Sequence, residues 1–309
     1  MDCLRRKSRG RCPRENTNHS TSARRPGLSS TQQNQISVLI LTRNEEQDLP
    51  TCIASIPWCD DVHVFDSEST DRTREIATSL GAHVAIRKFD TYDKQRNAAM
   101  QSPFKHSWVL VLDADERPTP ELSAEMQVAV AAVPANVDGF RMRRRDFLWG
   151  TWLKHAQMTP FYVRLLRVGK ATYSRDVNEV VEVEGDVLDL KAPLDHMAFS
   201  KGISHWVAKH NVYSTIEAEL LASGEATRKA SLREALFAKD FSDRRVAQKA
   251  IFYELPFRPL VKWLYMMVWR RAILDGGSGF MYVSLHAFYE FLIEIKRREI
   301  LRKRTGKTL

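Results

Sequence analysis

Two carboxylates one residue apart, Asp113 and Asp115, follow the short apolar run Trp108-Val109-Leu110-Val111-Leu112, and Glu116 adds a third. Strand formers dominate the run, which predicts a buried strand with its acids emerging at the carboxyl end. In an open α/β sheet that end faces the crevice where ligands bind. Carboxylates crowded there repel each other, and a divalent cation relieves the repulsion. An oxygen-rich site of this kind suits Mg2+ or Mn2+. The chemistry on offer is a metal–diphosphate site, although Asp-x-Asp alone also describes a strand end with solvated acids.

The segments before the acids must position them. Ile36 to Leu41 predicts a first strand, ending in Thr42-Arg43-Asn44-Glu45-Glu46, with a short helix from Asp48 to Ile56. Val62 to Asp66 predicts a second strand, ending in Ser67-Glu68-Ser69-Thr70-Asp71. Asp71 suits the N-cap of a helix from Arg72 to Leu80, and Gly81 suits its C-cap. A third strand follows at His83 to Ile86, a helix at Asp93 to Gln101, then the acidic strand. Thr119 caps a helix that Pro120 opens and that runs to about Ala132. This alternation predicts an α/β fold, a mostly parallel sheet with helices on both faces. Polar loops after strands one, two and four would then share one crevice. Neither GxGxxG after the first strand nor GxxxxGK[ST] occurs, so a bound nucleotide would be held by side chains and metal.

The formal charge of +9 is unevenly placed. Residues 1–35 carry eight Lys/Arg and two acids, and residues 296–309 seven and one, which is +6 at each end and −3 between. That distribution argues against a nucleic-acid-binding core and for ends that can touch an anionic surface. Cys3, Cys12, Cys52 and Cys59 form no CxxC pair, so a reducing compartment is the simpler reading. Residues 1–34 are polar and basic, lack the apolar stretch of a secretory signal, and are expected to be a disordered tail.

Thr42-Arg43-Asn44-Glu45-Glu46, Asp66-Ser67-Glu68-Ser69-Thr70-Asp71-Arg72-Thr73, Lys94-Gln95-Arg96-Asn97 and Asp113-Ala114-Asp115-Glu116 stand in this order over about 80 residues. Together they resemble the family 2 glycosyltransferases of GT-A fold, and within them the lipopolysaccharide-core β-glucosyltransferase branch. The resemblance covers roughly residues 35–215. It implies an inverting enzyme that uses a nucleotide-sugar, with UDP the expected carrier, and a divalent metal. Asp66 matches the acid at the uracil ring. Thr42, Asn44 and Glu45 match the nucleotide-binding first loop, and Arg96 a basic residue near the nucleotide. Asp113 and Asp115 match the acids that hold the ribose and the metal-bound diphosphate. The family's second loop has Asp-Asp-Gly where this chain has Asp66-Ser67-Glu68, so the second acid and the glycine are missing.

In this branch a His-Glu pair precedes a strand that Leu-x-His follows. Here Asn178 replaces the histidine, Glu179 remains, and Leu194-Asp195-His196 supplies the second motif. Inversion needs a single general base on the acceptor side. Glu179 is the first candidate, Asp176 the second, and His196 a metal or diphosphate ligand. Without the family, Glu179 reads equally as a solvated strand residue and His196 as a structural histidine. Arg141, Arg143, Arg144 and Arg145, followed by Phe147, Trp149 and Trp152, read as an acceptor loop or as a solvated charge run.

The predicted organisation is a tail over 1–34, a GT-A domain over 35–202 and a helical extension over 203–309. Ile203, Val207, Tyr213, Ile216 and Leu220 repeat at helical spacing. The window Leu260 to Arg271 is the most apolar in the chain but shorter than the roughly 20 residues a spanning helix needs. Its Trp and Tyr residues, flanked by Lys and Arg, fit a helix lying in a membrane interface, or a core helix on the catalytic domain. A last helix is expected from about Phe280 to Arg304, with Met281, Leu285, Phe288, Leu292 and Ile295 as its apolar stripe and Asp275–Gly279 as the preceding turn. The expected acceptor is a lipid-linked or cell-envelope glycan, met by a cytoplasmic protein peripheral to the inner face of the membrane. Two other readings compete. A haloacid-dehalogenase-like phosphatase also has apolar residues before Asp-x-Asp, but on its first strand and followed by Thr or Val. A binding protein that keeps the nucleotide pocket without catalysis would fit the Asn178 replacement.

Overall fold

The chain runs through β1 (Ile36–Thr42), α1 (Leu49–Ala54), β2 (Val62–Asp66), α2 (Thr73–Ser79), β3 (His83–Ile86), α3 (Tyr92–Ala99) and β4 (Trp108–Asp113). Then come β5 (Glu116–Pro118), α4 (Pro120–Ala131), β6 (Val137–Leu148), β7 (Thr151–Trp152), β8 (Phe161–Arg167), β9 (Ala171–Ser174), β10 (Val180–Val183) and β11 (Asp186–His196). Helices complete the chain: α5 (Gly202–Ser223), α6 (Leu232–Phe237), α7 (Phe241–Glu254), α8 (Arg258–Leu264), a π turn (Tyr265–Trp269), a 3-10 turn (Ala272–Asp275) and α9 (Gly276–Arg304). The computed structural model describes residues 35–158, 161–174, 180–224, 231–237, 241–306 and 308. The tail at 1–34 and the candidate bases Asp176 and Glu179 lie outside the described residues.

β1 and β4 are buried along nearly every residue, as strands covered on both faces must be. Their side chains alternate between two apolar layers. Ile36, Val38, Ile40, Leu110 and Leu112 pack with Leu49 and Cys52 of α1 and Leu122 and Met126 of α4. Leu39, Val109 and Val111 pack on the other face with Ala99 of α3 and Tyr173 of β9. Sheet order is β3-β2-β1-β4-β8-β6-β11-β5, with β7 paired to β6. The first four strands are parallel. β8 is antiparallel to both β4 and β6, β11 is parallel to β6, and β5 is antiparallel to β11. The mostly parallel α/β sheet expected from the sequence is present, extended by a mixed half. Thr119 caps α4 as read from the sequence, its side chain accepting the Leu122 N–H at 3.2 Å.

The C-terminal helices depart from the sequence reading in two places. The glycines of Asp275–Gly279 are not a turn before the last helix but its first turn, since α9 begins at Gly276. The close packing explains why glycine is needed: a Cβ on Gly279 would lie 2.2 Å from the Ala272 carbonyl oxygen. The buried face of α9 carries Tyr282, Val283, Glu290 and Ile293, whereas Met281, Phe288 and Ile295 of the expected stripe are exposed. The helix is apolar on more than one side, so periodicity alone could not select the inner face. Asp275 is buried at the start of α9, and accepts the N–H groups of His155 and Ala156 at 2.9 and 2.8 Å.

Gly279→Ala should therefore lower stability by about 1–3 kcal/mol through overpacking. Gly277→Ala, where an added Cβ meets nothing within 4 Å, should be stabilising by up to about 1 kcal/mol through helix propensity. Urea unfolding of the two variants checks the contrast; equal effects would remove the packing argument.

Candidate active site

Strand register sets the site. Thr42 pairs with Asp66, and Leu41 with Asp113, so β1, β2 and β4 end at one edge. The loops after β1 and β2 are laced together there. Asn44 and Glu68 turn the chain with φ of 56° and 54°. Glu68 stands where the family pattern has glycine, the residue that adopts this backbone without strain. Thr70 N–H donates to Asn44 Oδ1 at 2.8 Å, Asn44 N–H to Ser69 Oγ at 2.8 Å, and Glu45 N–H to Thr73 Oγ1 at 2.7 Å. Asp66, expected against the uracil ring, is fully buried. Its Oδ2 accepts from Thr42 Oγ1 at 2.9 Å and Ser69 Oγ at 2.5 Å, and its Oδ1 from Ser69 N–H at 2.8 Å. In this arrangement the carboxylate shapes the two loops.

Asp113 is held by two guanidiniums, Arg96 Nη2 at 2.8 Å and Arg164 Nη2 at 2.7 Å. The same Arg164 nitrogen reaches Glu116 Oε1 at 2.6 Å, and Arg144 Nη1 approaches that oxygen at 3.3 Å. Glu116 is fully buried, and its Oε2 accepts the Asp113 N–H at 3.1 Å. Burial on its own would raise the Asp113 carboxyl, but the charges of Arg96 and Arg164 outweigh it and hold the group well below the usual carboxylate range.

Asp115 Oδ2 lies 3.2 Å from His196 Nε2, and His196 Nδ1 lies 2.7 Å from Asp146 Oδ1. Burial would strip the proton from His196. The Asp115 charge overrides it against the opposing Arg144, and bonds to Asp115 and Asp146 add to the effect, lifting the imidazole to about 9. For Asp115, burial is likewise outweighed by the His196 charge and bond, so its carboxyl sits below its ordinary value. Glu45 behaves in the opposite way. Burial lifts it to about 7 against the bond and charge of Lys201, whose Nζ is 2.5 Å from Glu45 Oε1. Glu45 Oε2 is buried with no hydrogen-bond partner among the described residues.

A metal-bound histidine is neutral and offers a free nitrogen. His196, read from the sequence as a metal or diphosphate ligand, has a carboxylate at each nitrogen: Asp146 at Nδ1 orients the ring, as the outer partner of a metal-bound histidine does, and Nε2 faces Asp115. Asp113, read as a second metal ligand, is engaged by arginines. No group of three His, Cys, Asp or Glu suited to a metal occurs among the described residues. Asp115, whose contact with His196 uses only Oδ2, and the adjacent His196 Nε2 are the groups placed to fit one.

The model of a family described as "Glycosyl transferase family 2" matches residues 37–178. An uncharacterized glycosyltransferase of Rickettsia prowazekii is 39% identical over 283 residues, covering 86% of this chain and 87% of its own. The chain belongs to glycosyl transferase family 2. A lipopolysaccharide core biosynthesis glycosyltransferase of Rhizobium meliloti is 29% identical to it over 272 residues, 84% of this chain and 91% of the relative. Among solved structures, glucosyl-3-phosphoglycerate synthase from Mycobacterium tuberculosis, in complex with Mn2+, uridine diphosphate and glucosyl-3-phosphoglycerate, aligns at 21% identity. That alignment has a TM-score of 0.33 and covers 39% of this chain and 50% of that one.

Several side chains of this transferase's site had no place in the sequence reading. Glu116 was read only as the residue after the acid pair. Arg164, Asp146 and Arg144, the last read only as part of the acceptor segment, reach the site through pairings of β6 and β8 that no local pattern announces. Lys201, His205 and Lys209 had a readable signal, basic residues four apart at the start of a helix. Lys201 Nζ also donates to the Asn44 carbonyl at 2.7 Å, and the Lys209 charge helps hold Asp115 low. His205 is pushed down by burial, Lys201 and Lys209 while Asp115 and Asp48 resist, which places the basic stripe within electrostatic reach of Asp115. The basic-aromatic segment is largely paired. Arg141 bonds Asp189 through two nitrogens at 2.7 and 2.8 Å, and Arg145 bonds Asp195 at 2.6 Å. Arg143 stacks over Trp152, 5.1 Å from the ring centroid, and Trp149 is exposed at the hairpin tip.

Two outcomes are expected. Glu116→Gln should cost about 3–5 kcal/mol, because it removes one partner of a buried ion cluster and leaves Arg164 undercompensated; urea unfolding measures it. His196 should titrate near 9 against 6.5 for the free side chain. The stability it supplies is complete below 6.5 and disappears as pH rises through 9. Asp115→Asn should lower that midpoint in an NMR titration, and an unmoved midpoint would break the assigned pairing.

Proposed function

We propose that this transferase moves a sugar, with inversion, from a UDP-sugar to a lipid-linked or cell-envelope glycan, using Mg2+ or Mn2+. The observation that carries the reading is the convergence at one sheet edge of the two laced loops, the fixed acids after β4 and the basic stripe of α5. The Rhizobium relative, named for lipopolysaccharide core biosynthesis, supports an envelope acceptor. The acceptor would be met at an anionic membrane surface on the cytoplasmic side.

The nucleoside would lie against Thr42, Asn44 and Glu45. Glu45 Oε2, buried without a donor, would accept from a ribose hydroxyl, since an unpaired buried acceptor is costly. Asp66 would hold the loop that faces the base. Arg96 and Arg164 would keep Asp113 ionised and fixed in orientation. Asp115 and His196 would hold the metal, with phosphate oxygens completing its coordination. The ion would neutralise charge developing on the departing diphosphate. Lys201, His205 and Lys209 would stand beside the same diphosphate and stabilise it as it leaves. On the acceptor side Glu179, or failing it Asp176, would take the proton of the attacking hydroxyl.

The test is a UDP-sugar panel assayed for transfer and for donor hydrolysis, with and without Mn2+. Asp115→Asn should abolish turnover and make UDP affinity insensitive to Mn2+ in calorimetry. Glu179→Gln should reduce transfer at least a hundredfold while leaving UDP binding intact. Unchanged metal response in the first variant removes Asp115 as a ligand. Parent-like transfer in the second passes the base to Asp176.

A further inference from the structure

α8 and the π turn that continues it form one helix that is apolar on opposite sides. Inward, Met266 and Met267 are buried with Leu148, Leu153, Tyr282 and Val283. Trp263, expected in the interfacial stripe, packs partly into this cluster. Outward, Phe257, Leu260, Val268 and Trp269 are 81%, 57%, 70% and 79% exposed. Residues three to four apart share a helix face, so these side chains make a stripe. Ile273 and Leu274, each 65% exposed, extend it through the 3-10 turn. A helix on the surface of a water-soluble domain turns polar residues outward. This one does not.

Two further features bear on what covers the stripe. Phe257, its most exposed member, is held at φ 53°, a left-handed backbone that a bulky aromatic adopts only at a cost. Between Leu255 and Leu274 the chain has four cations, Arg258, Lys262, Arg270 and Arg271, and no acid. Arg258 and Lys262 pair with Glu290 of α9 at 3.0 and 2.8 Å. That leaves exposed Arg271, and Arg270 where it donates to the His155 and Gln157 carbonyls, as the charges at the edge of the stripe with no acidic partner among the described residues. An apolar stripe with a positive edge is complementary to hydrocarbon beneath anionic head groups. A second copy of the chain would bring the same cations together. Among the described residues no helix is long and apolar enough to cross a membrane, which leaves lying on the surface. A shallow, open apolar depression lined by Pro259, Leu260, Trp263 and Ala287 lies along the stripe.

We infer that the stripe from Phe257 to Leu274 is the face by which the transferase seats on a bilayer containing anionic phospholipid, with Phe257 and Trp269 at head-group depth. The inference deepens the membrane-bound acceptor proposed above and rests on that reading for its purpose, though not for the binding itself.

The full chain is mixed with vesicles of phosphatidylglycerol and phosphatidylcholine, or of phosphatidylcholine alone, and sedimented at low and high salt. UDP binding is measured on the same preparations. The parent should pellet with the anionic vesicles, less so at high salt. A Val268→Ser, Trp269→Ser double variant should bind at least tenfold more weakly with unchanged UDP affinity. Val128→Ser, at a 60% exposed position on α4, should bind like the parent. A parent that stays in the supernatant with anionic vesicles at low salt overturns the inference, as does a double variant that still binds fully. A lipid-free parent dimer that the double variant dissociates overturns it in favour of a second copy. Vesicle binding that persists without UDP binding supports the face and counts against the donor site alone.

Discussion

Three carboxylates leave β4 within four residues, and the architecture around them is governed by the need to keep that charge paired. Glu116 is sealed from water, and Asp113 and Asp115 are held low only because cations stand beside them. Apart from Arg96 of α3, the counter-charges come from the mixed half of the sheet. β8, antiparallel to β4, delivers Arg164, β6 delivers Arg144, and β11 delivers His196 opposite Glu116 and Asp146. Such a cluster is not a source of net stability, since desolvation offsets most of the attraction. Its value is orientation, because carboxylates held from several sides present fixed lone pairs. The two halves of the sheet therefore divide the work: parallel strands bring the loops, and mixed strands bring most of the cations.

The parallel half was legible in the sequence because its signals are local. Val62–Asp66 and His83–Ile86 appear in the structure as read, and Thr119 caps its helix as its position before Pro120 implied. The family's motifs lie on this half, which is why the glycosyltransferase assignment could be read there too. The mixed half was opaque because its meaning is non-local. Nothing near Arg164 says that it will bond residues 51 and 48 positions away. His196 could be flagged by its motif, but the carboxylate that orients its ring, Asp146, lies 50 positions earlier.

The C-terminal helices show the limit of periodicity in another form. Amphipathic analysis assumes one apolar face and one wet face. α9 buries Tyr282, Val283 and Ile293 while exposing Phe288, Phe291 and Ile295, so its pattern contains two overlapping stripes. The glycines at its start were ambiguous for a different reason. Glycine marks turns, but it also marks places where backbones press together, and only the Ala272 carbonyl distinguishes the two.

The π turn at Tyr265–Trp269 sets the phase of the outer rim. A π turn is an α-helix that has gained one residue without losing its neighbours on either side. In an uninterrupted helix Trp269 would be eleven positions from Arg258, about three full turns, and so on the side where Arg258 is buried. Relative to that helix, the π turn rotates the downstream side chains by about a quarter turn and swings the indole outward to join Phe257. The turn absorbs the added residue, so deleting one residue within it would restore a regular α-helix and leave Trp269 on the outer rim. A length change of one residue at this point is therefore tolerated by the rim, whereas the same change elsewhere in the helix would rotate it by about a quarter turn.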